Sequence, residues 1–130
     1  MWLVLADELG VLTVGSLAIE CMDFPIESAH LPRWVENEVR ESILRDRNRT
    51  CVVQWELFNE LKRPVLMRML HPMSVLARKL DPTRLILDES GGWAQGARMF
   101  LPYELEPIKF NDIHDYPGPF VNEETYDKLI

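Results

Sequence analysis

The 130 residues, 47% of them hydrophobic, are enough for one modest domain with an apolar core. Against 14 Lys and Arg stand 21 Asp and Glu, and the net charge of −7 argues against nucleic acid as the main partner, since phosphate binding needs basic surface. Two cysteines, Cys21 and Cys51, make no disulfide framework; His30, His71 and His114 lack metal-ligand spacing; no apolar stretch approaches the length that spans a membrane.

Leu5 to Gly10 reads as the end of a helix, followed by a strand over Val11–Val14 that continues towards Ile19. The spacing of Trp34, Val35, Val39, Ile43 and Leu44 predicts a helix over Leu31–Arg47, with Pro32 suited to its first turn. Cys51 to Phe58 is a short buried strand, and Cys51 is expected as a small core residue. Apolar residues at 65, 66, 69, 70, 73, 76, 77 and 80 predict a helix over Val65–Leu80, kinked or broken at Pro72. Asp81-Pro82-Thr83 is a turn before a strand at Leu85–Leu87, and Gly91-Gly92 opens a loop. Phe110 to His114 reads as a fourth strand, stopped by Tyr116-Pro117-Gly118-Pro119.

Strands and helices alternating at roughly 25 to 40 residues predict βα units on a parallel sheet. No phosphate-binding glycine fingerprint follows any strand, which leaves the doubly wound nucleotide fold little support. A closed (β/α)8 barrel needs eight strands and about 250 residues. The expectation is therefore an α/β partial TIM barrel, with residues 1–130 a fragment of a single catalytic domain.

In such a barrel, reactive groups sit at the C-terminal ends of the strands. The four predicted strand ends carry Glu20; Asn59 and Glu60; Asp88 and Glu89, with Trp93 in the following loop; and His114, Asp115 and Tyr116. A carboxylic acid beside an amide at a barrel mouth suits a sugar-cleaving site, where the acid protonates the glycosidic oxygen and the amide holds a hydroxyl. The indole of Trp93 suits stacking on the apolar face of a sugar, although the same ring suits packing. Glu56, which precedes the strand end and alternates with Leu57, is expected in a structural role, facing a helix or in a buried salt bridge with a partner such as Arg45 or Arg84.

The segment Arg45-Asp46-Arg47-Asn48-Arg49-Thr50-Cys51-Val52-Val53-Gln54-Trp55-Glu56-Leu57-Phe58-Asn59-Glu60 resembles the acid/base signature of glycoside hydrolase family 2, in the retaining clan of β-galactosidases, β-glucuronidases and β-mannosidases. Asp7 to Leu12 resembles that barrel's entry to the third strand, Leu80-Asp81-Pro82-Thr83-Arg84 the turn before its fifth, and Asp112-Ile113-His114-Asp115-Tyr116-Pro117 its sixth. The resemblance implies Glu60 as general acid/base and Asn59 as the binder of the sugar 2-hydroxyl. It implies His114 and Tyr116 as sixth-strand groups near the catalytic centre that bind substrate, a carbohydrate substrate and no cofactor, while Glu20 and Trp93 are expected to bind substrate from their strand-end and loop positions. Arg49-Thr50-Cys51 departs from the family's His-Pro-Ser, and Phe58 stands where many members have Gly. The resemblance also implies a nucleophilic glutamate on a seventh strand, which these residues do not contain.

A rival reading is a metal-dependent barrel lyase. Glu60, Glu89 and Asp112 lie 29 and then 23 residues apart, near successive strand ends, and three carboxylates so placed suit Mg²⁺. That site has no use for Asn59. A non-catalytic carbohydrate-binding or scaffold role is the remaining alternative.

Overall fold

The computed structural model describes residues 2–17, 19, 28–91, 97–114 and 124. Helix α1 (Trp2–Leu9) leads to strand β1 (Thr13–Ser16); α2 (Leu31–Asp46) leads to β2 (Val52–Asn59); a single turn α3 (Pro64–Met67) and α4 (Leu70–Leu80) lead to β3 (Leu85–Ser90); β4 (Ala97–Phe100) and β5 (Ile108–Phe110) follow. The five strands lie in the sheet in chain order. β1, β2 and β3 are parallel, as helical crossovers require. β4 runs antiparallel to β3, and β5 antiparallel to β4, so β5 points the same way as the first three.

Helix α1 closes with Val11 N–H on the Ala6 carbonyl and Gly10 N–H on the Asp7 carbonyl, the paired bonds of a Schellman stop. Asp7 then ties this corner to the start of β2. Its Oδ1 accepts from Cys51 N–H at 2.7 Å and from Thr50 Oγ1 at 2.9 Å, and those bonds, with Cys51 N–H first, hold its pKa at about 2 instead of the ordinary 3.8. Cys51 is buried, as expected of a small core residue.

Helix α2 buries Val35, Val39, Ser42, Ile43 and Asp46. The expected face is corrected at two positions: Trp34 and Leu44 are exposed, because they flank this stripe instead of pointing along it. The break in the third helical pattern also lies earlier than expected. The helix interrupts between Met67 and Leu70, so Pro72 falls within the first turn of α4, where its missing N–H has no intrahelical partner to lose.

The core lies between the sheet and α2 and α4, around Trp55, Leu57, Ile86, Val39, Ile43 and Ala77. Trp55 needs both a slot and a partner. Gly15 gives the slot, since a Cβ there would come 2.5 Å from the indole, and Asp81 Oδ2 accepts the indole N–H at 2.9 Å. Asp81 also accepts from Thr83 N–H and Oγ1 and from Arg84 Nη1, which explains the tight Asp81-Pro82-Thr83-Arg84 turn. Buried Arg78 binds six main-chain carbonyls, those of Asp81, Pro82, Arg84, Phe100, Leu101 and Glu104, and so fastens this turn to the end of β4.

Two strand expectations are corrected. β4 falls where only a loop was expected, within a span punctuated by Gly91, Gly92 and Gly96. The last strand is Ile108–Phe110 instead of Phe110–His114; residues 111–114 continue past its end without ladder pairing.

Candidate active site

β2 ends where its two neighbours hold it. On one side, Leu17 N–H reaches the Glu56 carbonyl at 3.0 Å and Asn59 N–H reaches the Ile19 carbonyl at 3.1 Å, so the segment after β1 keeps tracking β2 to its last residue. On the other side, Asn59 pairs with Ser90 of β3. Glu60 then turns the chain out of the ladder with φ +49, a left-handed backbone that costs a non-glycine residue on the order of 1 kcal/mol or more. Two bonds from β3 secure the turn. Glu60 N–H donates to the Ser90 carbonyl at 2.8 Å, and Leu61 N–H donates to Glu89 Oε1 at 2.9 Å.

The side chain of Glu60 meets His114, 54 residues away. Glu60 Oε1 and His114 Nδ1 are 2.6 Å apart, and His114 Nε2 lies 2.8 Å from Ser90 Oγ. Both partners are largely covered, the side chains being 18% and 22% exposed, which leaves a carboxyl sheltered but reachable. Asp112 Oδ1 stands 3.9 Å from His114 Nε2. Gly91 makes room for the ring: its φ is +66, and a Cβ there would lie 2.6 Å from His114 Nδ1. Glu89, Ser90 and Gly91 therefore each hold a different part of the site: the turn after Glu60, the imidazole's far nitrogen, and the space the imidazole fills.

Glu56 is corrected. Arg45 pairs with Asp46 and Arg84 with Asp81, so neither forms the expected bridge. Glu56 instead lies opposite Ser16 in the ladder, shares a hydrogen bond with its side chain, and feels the charges of Asp112 and His114. Desolvation, helped by Asp112, raises its pKa above the ordinary value, against the hydrogen bond from Ser16 and the pull of His114. Desolvation likewise raises Asp88 and Glu89.

Of the expected site residues, Asn59, Glu60 and His114 are placed, with Glu60 and His114 in contact and Asn59, next to Glu60 in sequence, half-buried. Glu20, Trp93 and Tyr116, with Asp115, lie outside the described residues. Sequence reasoning missed Ser90 and Gly91. Their signal was a polar residue and a glycine directly after two acids at a strand end, a place where a close approach or left-handed turn is common. Among the described residues no three of His, Cys, Asp and Glu are grouped to hold an ion, and Glu89 is buried on a backbone N–H. The cleft of about 260 Å³ between α1, β1 and α2 includes Trp2, Ser16, Glu38 and Asp46 but none of Asn59, Glu60, Ser90 or His114, so it is not this site.

A sheet of parallel βα units with an acid at the mouth of one strand fits many barrels. Comparison with known families decides among them: residues 1–108 match the model of the TIM barrel domain of glycosyl hydrolases family 2. The chain belongs to glycosyl hydrolases family 2. No curated protein and no solved structure matches it. As a family 2 chain it is an α/β segment of a TIM barrel in which β1, β2 and β3 are the regular parallel strands, and β4 is an antiparallel strand laid between β3 and β5. The match reaches through Glu60 and Ser90 and ends at the first residue of β5, so His114 joins the site beyond it.

Among the described residues no helix of this family 2 chain is long and apolar enough to cross a membrane.

Proposed function

We propose that this family 2 segment carries the acid/base half of a retaining glycosidase site, with Glu60 as the acid/base. The observation that carries the reading is the Glu60–His114 contact at the C-terminal end of a parallel strand, on a turn held by two further bonds from β3. In the first step, the Glu60 carboxyl proton moves to the glycosidic oxygen as the C1–O bond breaks, while a second carboxylate attacks C1 from the opposite face. The leaving alcohol departs and a glycosyl ester remains. In the second step, the Glu60 carboxylate takes a proton from water as its oxygen attacks C1 and displaces the ester, and net configuration is retained.

His114 supports both protonation states of Glu60. In both, Nδ1–H donates to Oε1 and Nε2 accepts from the Ser90 hydroxyl, so the acid proton is carried on the other carboxyl oxygen, free to move to the leaving group. Asn59 binds the sugar 2-hydroxyl, Trp93 stacks on the apolar face of the ring, and Glu20, His114 and Tyr116 complete the substrate contacts. The nucleophile is a strand-end glutamate supplied beyond β5, outside these residues.

The test is Glu60→Gln in the complete family 2 polypeptide that carries these residues. The shape is nearly unchanged and the proton is gone. Hydrolysis of glycosides with poor leaving groups should fall by about 10²–10⁴-fold, while cleavage of a dinitrophenyl glycoside, whose leaving group needs no proton, should be far less affected in its first step. Full activity of the Gln variant on alkyl glycosides would overturn the assignment.

A further inference from the structure

Glu89 is almost fully buried, at 2% exposure, and takes no part in the steps above. Its carboxylate accepts from Leu61 N–H at 2.9 Å, and Leu61 is itself buried. The geometry around that bond is particular. The ladder between β2 and β3 ends at the Asn59–Ser90 pair. The next two N–H groups of the chain, those of Glu60 and Leu61, are then satisfied by β3 in different ways, the first by the Ser90 carbonyl and the second by the Glu89 side chain. Between these two bonds sits Glu60, at φ +49, the only left-handed non-glycine residue among the described residues of the site. A left-handed backbone at a non-glycine residue persists only where its surroundings hold it.

We infer that Glu89 is a positioning residue for the acid/base: through the Leu61 N–H it fixes the turn that aims the Glu60 carboxyl at His114 and at the glycosidic oxygen. The inference rests on the acid/base reading of Glu60. Without the Glu89 acceptor, Leu61 N–H is left to find another partner, the turn at Glu60 loses one of its two anchors, and the carboxyl shifts relative to the leaving group. Displacement of a catalytic group by about 1 Å costs on the order of 10²-fold in rate. In the first step that loss should fall on proton delivery alone, because Glu89 touches no reacting atom; in the second it should weaken proton removal from water.

The experiment compares Glu89→Leu, which removes the acceptor, with Glu89→Gln, which keeps an acceptor oxygen, in the complete family 2 polypeptide. The probes are methyl and 2,4-dinitrophenyl β-glycosides of galactose, glucuronic acid and mannose, taking the sugar that the parent cleaves best. A second variant replaces the Leu61 amide by an ester, through incorporation of the α-hydroxy analogue of leucine, and so deletes the N–H without changing any side chain. The expected result, read in kcat/KM so that only the first step counts, is a fall of about 10²-fold on the methyl glycoside for Glu89→Leu and for the ester, a much smaller change on the dinitrophenyl glycoside, and near-parental behaviour of Glu89→Gln. If Glu89→Leu does not fold, the ester variant decides. Equal losses on both leaving groups would make Glu89 a stabilising residue only and overturn the inference, as would parental activity of the ester variant on the methyl glycoside. The Glu60→Gln control separates the two layers: if it shows leaving-group selectivity and the Glu89 and Leu61 variants do not, the positioning role fails alone. If Glu60→Gln shows none, or the parent cleaves no probe, both fail.

Discussion

At the residue scale, small changes around His114 should report on the site. Gly91→Ala places a methyl where the imidazole sits and asks alanine to adopt φ +66. The expected outcome is a loss of stability of roughly 1–3 kcal/mol, read from denaturant midpoints, together with loss of the hydrogen-bonded His114 Nδ1 proton signal in NMR spectra. Glu56 gives a prediction of opposite sign. Its pKa is raised in the folded protein, chiefly by desolvation, so the folded state holds the proton longer than the unfolded chain does. Stability from this group is therefore greatest below the unfolded pKa and declines as pH rises through the folded value. Glu56→Gln keeps an acceptor for Ser16 and removes the charge. It should raise the denaturation midpoint at pH 7 and leave it unchanged at pH 3; an unchanged midpoint at pH 7 would show that Glu56 is better solvated than its position implies.

At the element scale, two polar hubs hold the βα units in register at the end of the sheet opposite Glu60. Arg78 joins the end of α4 to the turn before β3 and to the end of β4 through six carbonyls. Arg78→Met keeps the length of the side chain but leaves those carbonyls without their donor, and it should cost on the order of 3 kcal/mol, checked by chemical denaturation with an unchanged slope. Asp7 does the equivalent for α1 and β2. Its folded pKa of about 2 lies below the ordinary 3.8, so its contribution is fully present above that value and is lost as pH falls from about 4 to about 2. Asp7→Asn should flatten the decline in midpoint across that window and leave the profile above pH 5 parallel to the parent's.

At the scale of the whole molecule, the sheet is open. Among the described residues β1 pairs only with β2, and β5 only with β4. Exposed apolar side chains gather on and beside these edges: Val11, Leu12 and Val14 at one, Ile108, Phe110 and Ile113 at the other. Unpaired edges with apolar neighbours stabilise little and invite association. The 130 residues alone should therefore unfold at low denaturant in a broad transition and show concentration-dependent scattering. They should also show no hydrolysis of aryl glycosides. Turnover by the bare chain would place the second carboxylate among its own residues and overturn the proposed source of the nucleophile.

Sequence alone determined the regular part of this protein. The parallel strands through Val14 and Trp55, the helix between them and the polar end of the second strand were legible, because periodicity and turn chemistry are local properties. The Leu80-Asp81-Pro82-Thr83-Arg84 turn and the Asn59-Glu60 strand end were legible too, and they carried the family. What lay beyond reach was anything that depends on two distant segments meeting. The insertion of β4 beside β3 depends on pairing across a loop with no strand pattern of its own. The bond between Glu60 and His114 joins residues 54 apart, and the role of Gly91 exists only because that imidazole needs the space. Glu56 was misassigned to Arg45 or Arg84 for the same reason: opposite charges invite pairing on paper, but the fold gave both arginines nearer acids and turned Glu56 towards Ser16. Local chemistry chose the elements; only tertiary packing chose which side chains share a site, because that choice is made by register, twist and the space left over.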